Sequence, residues 1–438
     1  MKDSHKATTE GVKRAIVVHI TFKKNPELRD KAEFLLLAKA AEVQTVTVLE
    51  GSRETPDPST FIGSGKLEEL QQLVEAEAAD VILFNHELSP AQERNLDQVL
   101  KKPVLSRTAL ILEIFALRAQ THEGKLQVAL AKLRHLSTRL VRRWSHLERQ
   151  KGGIGLRGGM GETQLEIDRR LIRQQVIGIE EELAKVASRR DLARRSRERN
   201  ELPTVALVGY TNAGKSSLFN RLTGAEVFVA DQLFATLDPT IRTITLKGIG
   251  KLALIDTVGF IRHLPHTLVN AFKATLEETR LADLLLHVVD YSSSDYAETC
   301  THVQDVLTEI GADQVPQLMV YNKIDALSET PPEVVRDEAG HVKAVYISAL
   351  KGSGLDALHN AIANFLQKEW VVGSVTLGPE FGEVHAALHQ ARAVEQEHVL
   401  EENGAWAMQI RAPMRTWQTL CAQHPECLAQ FVPTVSHQ

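Results

Sequence analysis

The sequence predicts an α/β chain: two parallel α/β regions flank a long antiparallel helical hairpin, and a small α+β region follows. Three observations carry this. Short apolar runs alternate with amphipathic stretches over residues 14–105. The same alternation returns from Thr204 to about Gln367. Between them, apolar residues recur at three-four spacing along two long polar stretches. A chain of 438 residues exceeds one ordinary core. We expect an N-terminal α/β domain over 1–105, the hairpin over 106–202, a second α/β domain over 203–369 and an α+β C-terminal domain over 370–438.

In the first region "RAIVVHI", "VQTVTVLE" and "DVILFN" read as buried strands, with helical patterns near 27–40, 66–79 and 89–101. Strand–helix alternation of this kind builds a parallel sheet with right-handed crossovers. In the hairpin, Leu126, Leu130, Leu133, Leu140, Trp144 and Leu147 form one stripe, and Leu165, Ile172, Val176, Ile179, Leu183 and Val186 form the other. The second helix, from Glu162 to about Asn200, would span roughly 55–60 Å at 1.5 Å per residue. Between the stripes lies "KGGIGLRGGMGETQLEIDRR" (151–170), a glycine-rich tip carrying Lys151, Arg157, Arg169 and Arg170. In the second α/β region "TVALVG", "LALIDT", "LLLHVVD", "QLMVYN" and "AVYIS" are the expected strands. Beyond it, "EFGEVHAALHQARAVEQEHVLEEN" reads as helix and "AWAMQIRA" as strand.

Composition narrows the function classes. A hydrophobic fraction of 43% and a charged fraction of 24% describe an ordinary globular chain. Cys300, Cys421 and Cys427 follow no metal-ligand or disulfide spacing, which suits a reducing compartment. The N-terminus has no apolar segment, and no window approaches 18 apolar residues, so the chain reads as cytoplasmic without a membrane span, peripheral membrane association staying open. The net charge of −5 is uneven: Ala116–Asn200 carries 20 Lys+Arg against 10 Asp+Glu. That basic middle segment suggests a polyanionic partner, or a solvated helical surface.

One motif dominates the chemistry. "TVALVG" runs directly into "GYTNAGKSSLFNRL", and Gly209–Ser216 satisfies G-x-x-x-x-G-K-[ST] between a strand and a helix. Backbone N–H groups of Gly209, Tyr210, Thr211, Asn212, Ala213 and Gly214 can cradle phosphates, Lys215 can reach the β- and γ-oxygens, and the Ser216 hydroxyl can ligate Mg²⁺. "DTVG" (Asp256, Thr257, Val258, Gly259) closes the next strand, where Asp256 can hold Mg²⁺ through water and the Gly259 N–H can face the γ-phosphate. "NKID" (Asn322, Lys323, Ile324, Asp325) supplies a carboxylate for the guanine N1–H and N2–H₂ donors, which adenine lacks. Asn322 can tie this loop to the phosphate loop, and the Lys323 stem can cover the base. "SAL" (Ser348, Ala349, Leu350) places the Ala349 N–H to meet guanine O6. Four short motifs, each at the carboxyl end of a predicted strand, make 203–369 a P-loop GTPase domain binding GTP and GDP. Its nucleotide-sensing switch should lie in "DQLFATLDPTIRTI" (231–244), with Thr236, Thr240 and Thr243 as candidates that spacing does not separate. No general base stands out. Phe260 occupies the position where many small GTPases place a water-orienting glutamine, and His263 and His266 read as switch-surface residues.

"GYTNAGKSSLFN", "DQLFATLDPT", "DTVGFIRHLPHTLVNAFKATLEET" and "NKID", preceded by the glycine-rich tip, resemble the HflX family of translation-factor-related GTPases over most of the chain. The resemblance implies GTP hydrolysis coupled to the large ribosomal subunit and its RNA, and the splitting of stalled ribosomes. It selects Thr236 as the second Mg²⁺ ligand and adds Phe234, Ala235, Leu237 and Asp238 to the nucleotide site. It also implies that Asn212 holds an activating K⁺. It raises ATP as a ligand of the N-terminal domain at "FIGSGKLEEL", where Gly63, Gly65 and Lys66 lack the full motif and read first as a glycine turn capping a helix, with nucleic-acid contact by Lys66 as a further reading. A monomer is expected. The alternatives are a GTP-dependent ribosome-assembly factor and an RNA-binding scaffold with negligible turnover.

Overall fold

The computed structural model describes residues 12–22, 31–143, 164–199, 202–224, 233–234, 236–246, 250–262, 273–327, 330–338, 340–366, 369–391, 393–400 and 404–413, with 417, 420, 421, 423, 424, 428 and 434–437 beyond. Trp144, Leu147, residues 151–163 of the glycine-rich tip, Ala235, His263, His266 and Cys427 lie outside these residues. Contacts divide the chain into two units, one of residues 1–245 and 251–358, the other of residues 246–250 and 359–438.

The first unit begins with a parallel sheet of order β2-β1-β3-β4, built from β1 (Arg14–Phe22), β2 (Gln44–Arg53), β3 (Val81–Phe84) and β4 (Val104–Leu105). Strand side chains alternate between faces. Ala15 and Val17 of β1 therefore enter one core with Phe34, Leu37, Ile111 and Phe115, while Ile16, Val18 and Ile20 enter another with Leu70, Phe84 and Leu96. Both faces are covered by helices: α1 (Lys31–Ala40), α2 (Ser64–Ala76), α3 (Pro90–Leu100) and α4 (Arg107–Arg118). Burial on both sides explains why β1 reads as one continuous apolar run. A capping box at Ser89 and Gln92 starts α3, and the Ser106 hydroxyl accepts from the Ala109 N–H to start α4. Leu110, Ile111, Ile114 and Phe115 are fully buried, so the N-terminal core extends past the expected boundary at 105.

The hairpin follows as α5 (His122–Arg143) and α6 (Gln164–Arg199). Ion pairs Glu123–Arg190 and Arg134–Glu180 fix an antiparallel register. Along α6, Ile172, Val176, Ile179, Leu183 and Val186 are half-buried while most of the positions between them are exposed. A 36-residue helix with that single stripe needs its partner helix to stay ordered.

The second sheet of this unit has the order β10-β11-β9-β8-β5-β7-β6. Its strands are β5 (Thr204–Val208), β6 (Thr240–Leu246), β7 (Gly250–Asp256), β8 (Leu284–Asp290), β9 (Gln317–Asn322), β10 (Val334–Arg336) and β11 (Val342–Tyr346). Strands β7, β5, β8, β9 and β11 pair in parallel and β10 is antiparallel to β11. Helices α7 (Lys215–Thr223), α8 (Lys273–Arg280), α9 (Tyr296–Glu309) and α10 (Leu355–Leu366) connect them, α10 crossing into the second unit. That unit continues as an antiparallel sheet β13-β14-β12-β15, formed by β12 (Glu369–Leu377), β13 (Val394–Val399), β14 (Trp406–Pro413) and β15 (Thr434–His437), with α11 (Gly382–Gln390) burying Val384 and Leu388 against it. Among the described residues no helix is long and apolar enough to cross a membrane.

Candidate functional site, a nucleotide cavity at the carboxyl ends of the central strands

The buried strand β5 ends at Val208 and the chain turns through 209–214 into α7. Gly214 makes that turn at φ +91°, and a Cβ there would lie 2.3 Å from Asn322 Nδ2, so only glycine fits. Lys215 opens the helix with its side chain folded back, its Nζ donating to the carbonyls of Gly209 (3.0 Å) and Tyr210 (2.8 Å). Burial pushes its pKa down to about 8, opposed by the neighbouring Asp256 carboxylate. A buried ammonium held mainly by carbonyls is poised for an anion.

Three oxygens converge beside it. Ser216 Oγ lies 2.7 Å from Thr236 Oγ1 and donates to Asp256 Oδ2 at 2.7 Å, and Thr236 Oγ1 donates to the same carboxylate oxygen at 3.0 Å. Asp256 is fully buried, which raises its pKa, and its Oδ1 has no hydrogen-bond partner among the described residues. Two hydroxyls and a carboxylate gathered this tightly are hard oxygen donors of the kind Mg²⁺ takes, so the residues fit that ion. Thr240 and Thr243 sit on β6 and have no part in this cluster.

At the opposite end Asn322 joins the two loops, donating from Nδ2 to the Ala213 carbonyl (2.9 Å) and accepting at Oδ1 from the Ala349 N–H (2.9 Å). The same N–H, expected to meet guanine O6, lies at the rim of the base end of the site. Asp325 is oriented by the Ser348 hydroxyl, which donates to its Oδ1, and Lys323 pairs with Asp290 at 2.7 Å.

Between these ends lies a cavity of ≈ 320 Å³. Thr211, Asn212, Gly214, Lys215, Ser216, Phe234, Thr236, Thr257, Gly259, Asn322, Lys323, Asp325, Ala349 and Leu350 line it, as expected, together with Ser217 and Ala326, which the motif reading left out. The neighbours of both are motif residues, so their place at a helix start and after "NKID" was the available signal. Gly209, Ala213, Asp256, Val258, Ile324 and Ser348 stand behind the lining, Thr257 being anchored by donating to the Leu207 carbonyl at 2.6 Å. Three expected residues turn away. The Tyr210 hydroxyl donates to Glu33 and accepts from the Arg262 N–H at 2.8 Å. The Leu237 side chain is buried in the N-terminal core with Phe34, Phe115 and Val128. The Asp238 carboxylate holds the residues that lead into α5, accepting from the N–H groups of Gln120 and Thr121 (2.9 Å each) and from the Thr121 hydroxyl (2.6 Å), which itself caps the helix by accepting from the Gly124 N–H at 2.9 Å. Gly124 permits this approach, since a Cβ there would lie 2.1 Å from Asp238 Oδ1. Phe234 serves both sides: it lines the cavity and packs edge-on against Phe115 at 4.7 Å.

Phe260 is buried in the core with Ala206, Ile255 and Leu276, and only its backbone meets the phosphate loop, accepting from the Thr211 N–H at 2.7 Å. It packs beneath the site and presents no group that could polarise water. His287 of β8 is also buried, and desolvation lowers its pKa to about 4, so it is neutral at physiological pH. At "FIGSGKLEEL", Gly63 caps α2 without a side-chain bond and Lys66 pairs with Glu69 at 2.8 Å, which is the geometry of a glycine turn opening a helix. Of the four basic residues assigned to RNA, Arg169 and Arg170 lie on the first turns of α6, half-buried and exposed, and Lys151 and Arg157 fall outside the described residues.

Residues 29–116 match the GTP-binding GTPase N-terminal family model, 118–197 the GTP-binding GTPase middle region, and 204–323 the 50S ribosome-binding GTPase model. The GTPase HflX of Escherichia coli (strain K12) is 51% identical over 96% of this chain and 98% of its own length, and the GTPase HflX of Magnetococcus marinus is 44% identical over 88% and 90%. A crystal structure of a GTP-binding protein from the archaeon Sulfolobus solfataricus in complex with GDP is similar at 25% identity, covering 81% of this chain and 98% of that one, with a TM-score of 0.44. With relatives named GTPase HflX matching it at up to 51% identity over 96% of its length, and a GTPase model matching the residues that build the cavity, the chain belongs to the HflX family of GTP-hydrolysing proteins.

Proposed function

We propose that this GTPase binds the RNA of the large ribosomal subunit through its basic hairpin and splits stalled ribosomes into subunits, GTP hydrolysis resetting its ribosome affinity. One observation carries the coupling. Thr236, beside Ser216 and Asp256, and Asp238, which holds the capping residue Thr121 of α5, lie two residues apart on one short segment. The match of 204–323 to a 50S ribosome-binding GTPase model and the excess of basic residues over 116–200 support the partner. Lys151, Arg157, Arg169 and Arg170 would meet RNA phosphates near the tip, and the protein would act as a cytoplasmic monomer.

In the site, Lys215 and the 212–216 backbone hold the β- and γ-phosphates, Asp325 selects guanine, and the Lys323 stem covers the base. Ser216 and Thr236 would hold Mg²⁺ directly and Asp256 through water, the ion neutralising phosphate charge when bound. Hydrolysis removes the γ-phosphate that keeps Thr236 in place. The segment then loosens, and Asp238 leaves the start of α5 at a cost of about 0.5–2 kcal/mol, a factor of about 2–30 in the equilibrium that positions the hairpin. Asp238→Ala is expected to leave GTP affinity within about threefold while removing most of that nucleotide-dependent difference in ribosome binding, read by co-sedimentation with GTP analogue or GDP. A full difference in the variant would sever the link. With no side chain at Phe260 to orient water, intrinsic hydrolysis is slow and ribosomes accelerate it. Asn212, lining the cavity at φ +60°, would hold K⁺ beside the phosphates, so turnover of the isolated protein should rise when K⁺ replaces Na⁺; equal rates remove that ion from the mechanism.

The deciding experiment is gradient sedimentation of intact ribosomes with the full chain and a non-hydrolysable GTP analogue. Separated subunits are expected. Intact ribosomes under saturating binding reject splitting and favour an assembly factor, and GTP turnover unmoved by ribosomes points to an RNA-binding scaffold.

A further inference from the structure

The second unit carries a cluster that the GTPase reading does not use. His385 and His389 lie one helical turn apart on α11, so their rings project from the same face. Glu397 faces them from β13, one carboxylate oxygen 3.1 Å from His385 Nε2 and the other 2.6 Å from His389 Nε2. The two ring centroids are 4.6 Å apart, and one ligand atom from each residue lies within 4.8 Å of the others. Among the described residues this is the one group of three or more His, Cys, Asp or Glu side chains so disposed. The His385 ring is stacked on Trp406 of β14, with centroids 4.4 Å apart and planes 22° apart, which holds the imidazole in place before any ion arrives. His389 is about half exposed, so an ion can enter from solvent.

We propose that His385, His389 and Glu397 form a binding site for a borderline divalent transition ion of the Zn²⁺ type, distinct in ligand chemistry from the all-oxygen cluster at Ser216. Two neutral imidazoles and a carboxylate are a ligand set such ions prefer and Mg²⁺ does not, and three protein ligands leave a position for water. On binding, each Nε2 presents its lone pair to the ion, the ring proton resides on Nδ1, and any proton shared with Glu397 passes to solvent. The ion would pin α11 to β13 at this corner, where the histidine–carboxylate pairs join them.

The test uses the full chain, stripped with chelator and then saturated with Mg²⁺ and GDP so that the nucleotide site is filled. Zn²⁺ is titrated calorimetrically, and Ni²⁺ is followed by quenching of tryptophan fluorescence. One Zn²⁺ per chain is expected, with affinity reduced at least tenfold in His389→Gln and in Glu397→Gln, since a direct ligand should matter no less than the outer-shell partners whose loss costs 10–100-fold. Trp406→Phe should keep Zn²⁺ binding and lose most of the Ni²⁺ quenching, which separates ion binding from collapse of the fold. Absence of Zn²⁺ binding at 1:1 stoichiometry, or equal affinity in wild type and both ligand variants, overturns the proposal and leaves the cluster as a pair of surface histidine–carboxylate bonds.

Discussion

Lys215→Ala is expected to weaken GTP binding by about 10²–10⁴-fold, and binding of GDP, which lacks the γ-phosphate, by about 10–10²-fold, measured by calorimetric titration. The ammonium is buried and held by the carbonyls of Gly209 and Tyr210 at the mouth of the phosphate loop. Hydrogen bonds to charged groups are worth about 1.5–3 kcal/mol each, and Lys215 can reach one oxygen on each of two phosphates. The same residue sets a pH dependence. Burial lowers its pKa to about 8, and a bound phosphate raises it again, so the nucleotide complex holds the proton more tightly than the free protein. Binding therefore takes up protons near and above pH 8, and affinity falls as pH rises through that range while staying level between pH 6 and 7. Affinity in the variant within threefold of wild type, or wild-type affinity that stays flat above pH 8, contradicts the assignment.

Asp325→Asn is expected to weaken guanosine nucleotides by about 10²-fold and to favour xanthosine nucleotides. The carboxylate accepts from two guanine donors, together worth about 3 kcal/mol or more. An amide in its place loses the charge and sets its own N–H₂ against a donor, whereas the 2-oxo group of xanthine can accept from it. Because Ser348 orients Asp325, Ser348→Ala should give a smaller loss in the same direction without a change of base. Unchanged preference for guanosine in Asp325→Asn would place the base elsewhere.

Local chemistry made much of this protein legible before any fold was known. The phosphate loop is written in contiguous residues because a tight turn, a buried lysine and a helix start must follow one another. The stripe on α6 was readable because a helix with one neighbour needs one apolar line, and Ile172 through Val186 are its half-buried positions. Ser217 and Ala326 escaped because lining a cavity depends on curvature around it. Tyr210 was assigned for its backbone and Leu237 and Asp238 through the family resemblance, whereas their side chains find partners in the N-terminal region that only the tertiary packing brings near.

By itself the sequence determined the order of the parts, the nucleotide chemistry and its preference for guanine, and the charge of the arm, since each of these rests on residue type at short range. The tertiary structure decided three things. It placed Thr236, which the family resemblance had singled out from Thr240 and Thr243, against Ser216 and Asp256. It bound the switch segment into the N-terminal core through Phe234 and Leu237 and to α5 through Asp238. It brought His385 and His389 to Glu397. All three depend on where separate elements meet in space: packing and hydrogen-bond satisfaction across the whole fold select that meeting, and no short window of residues encodes it.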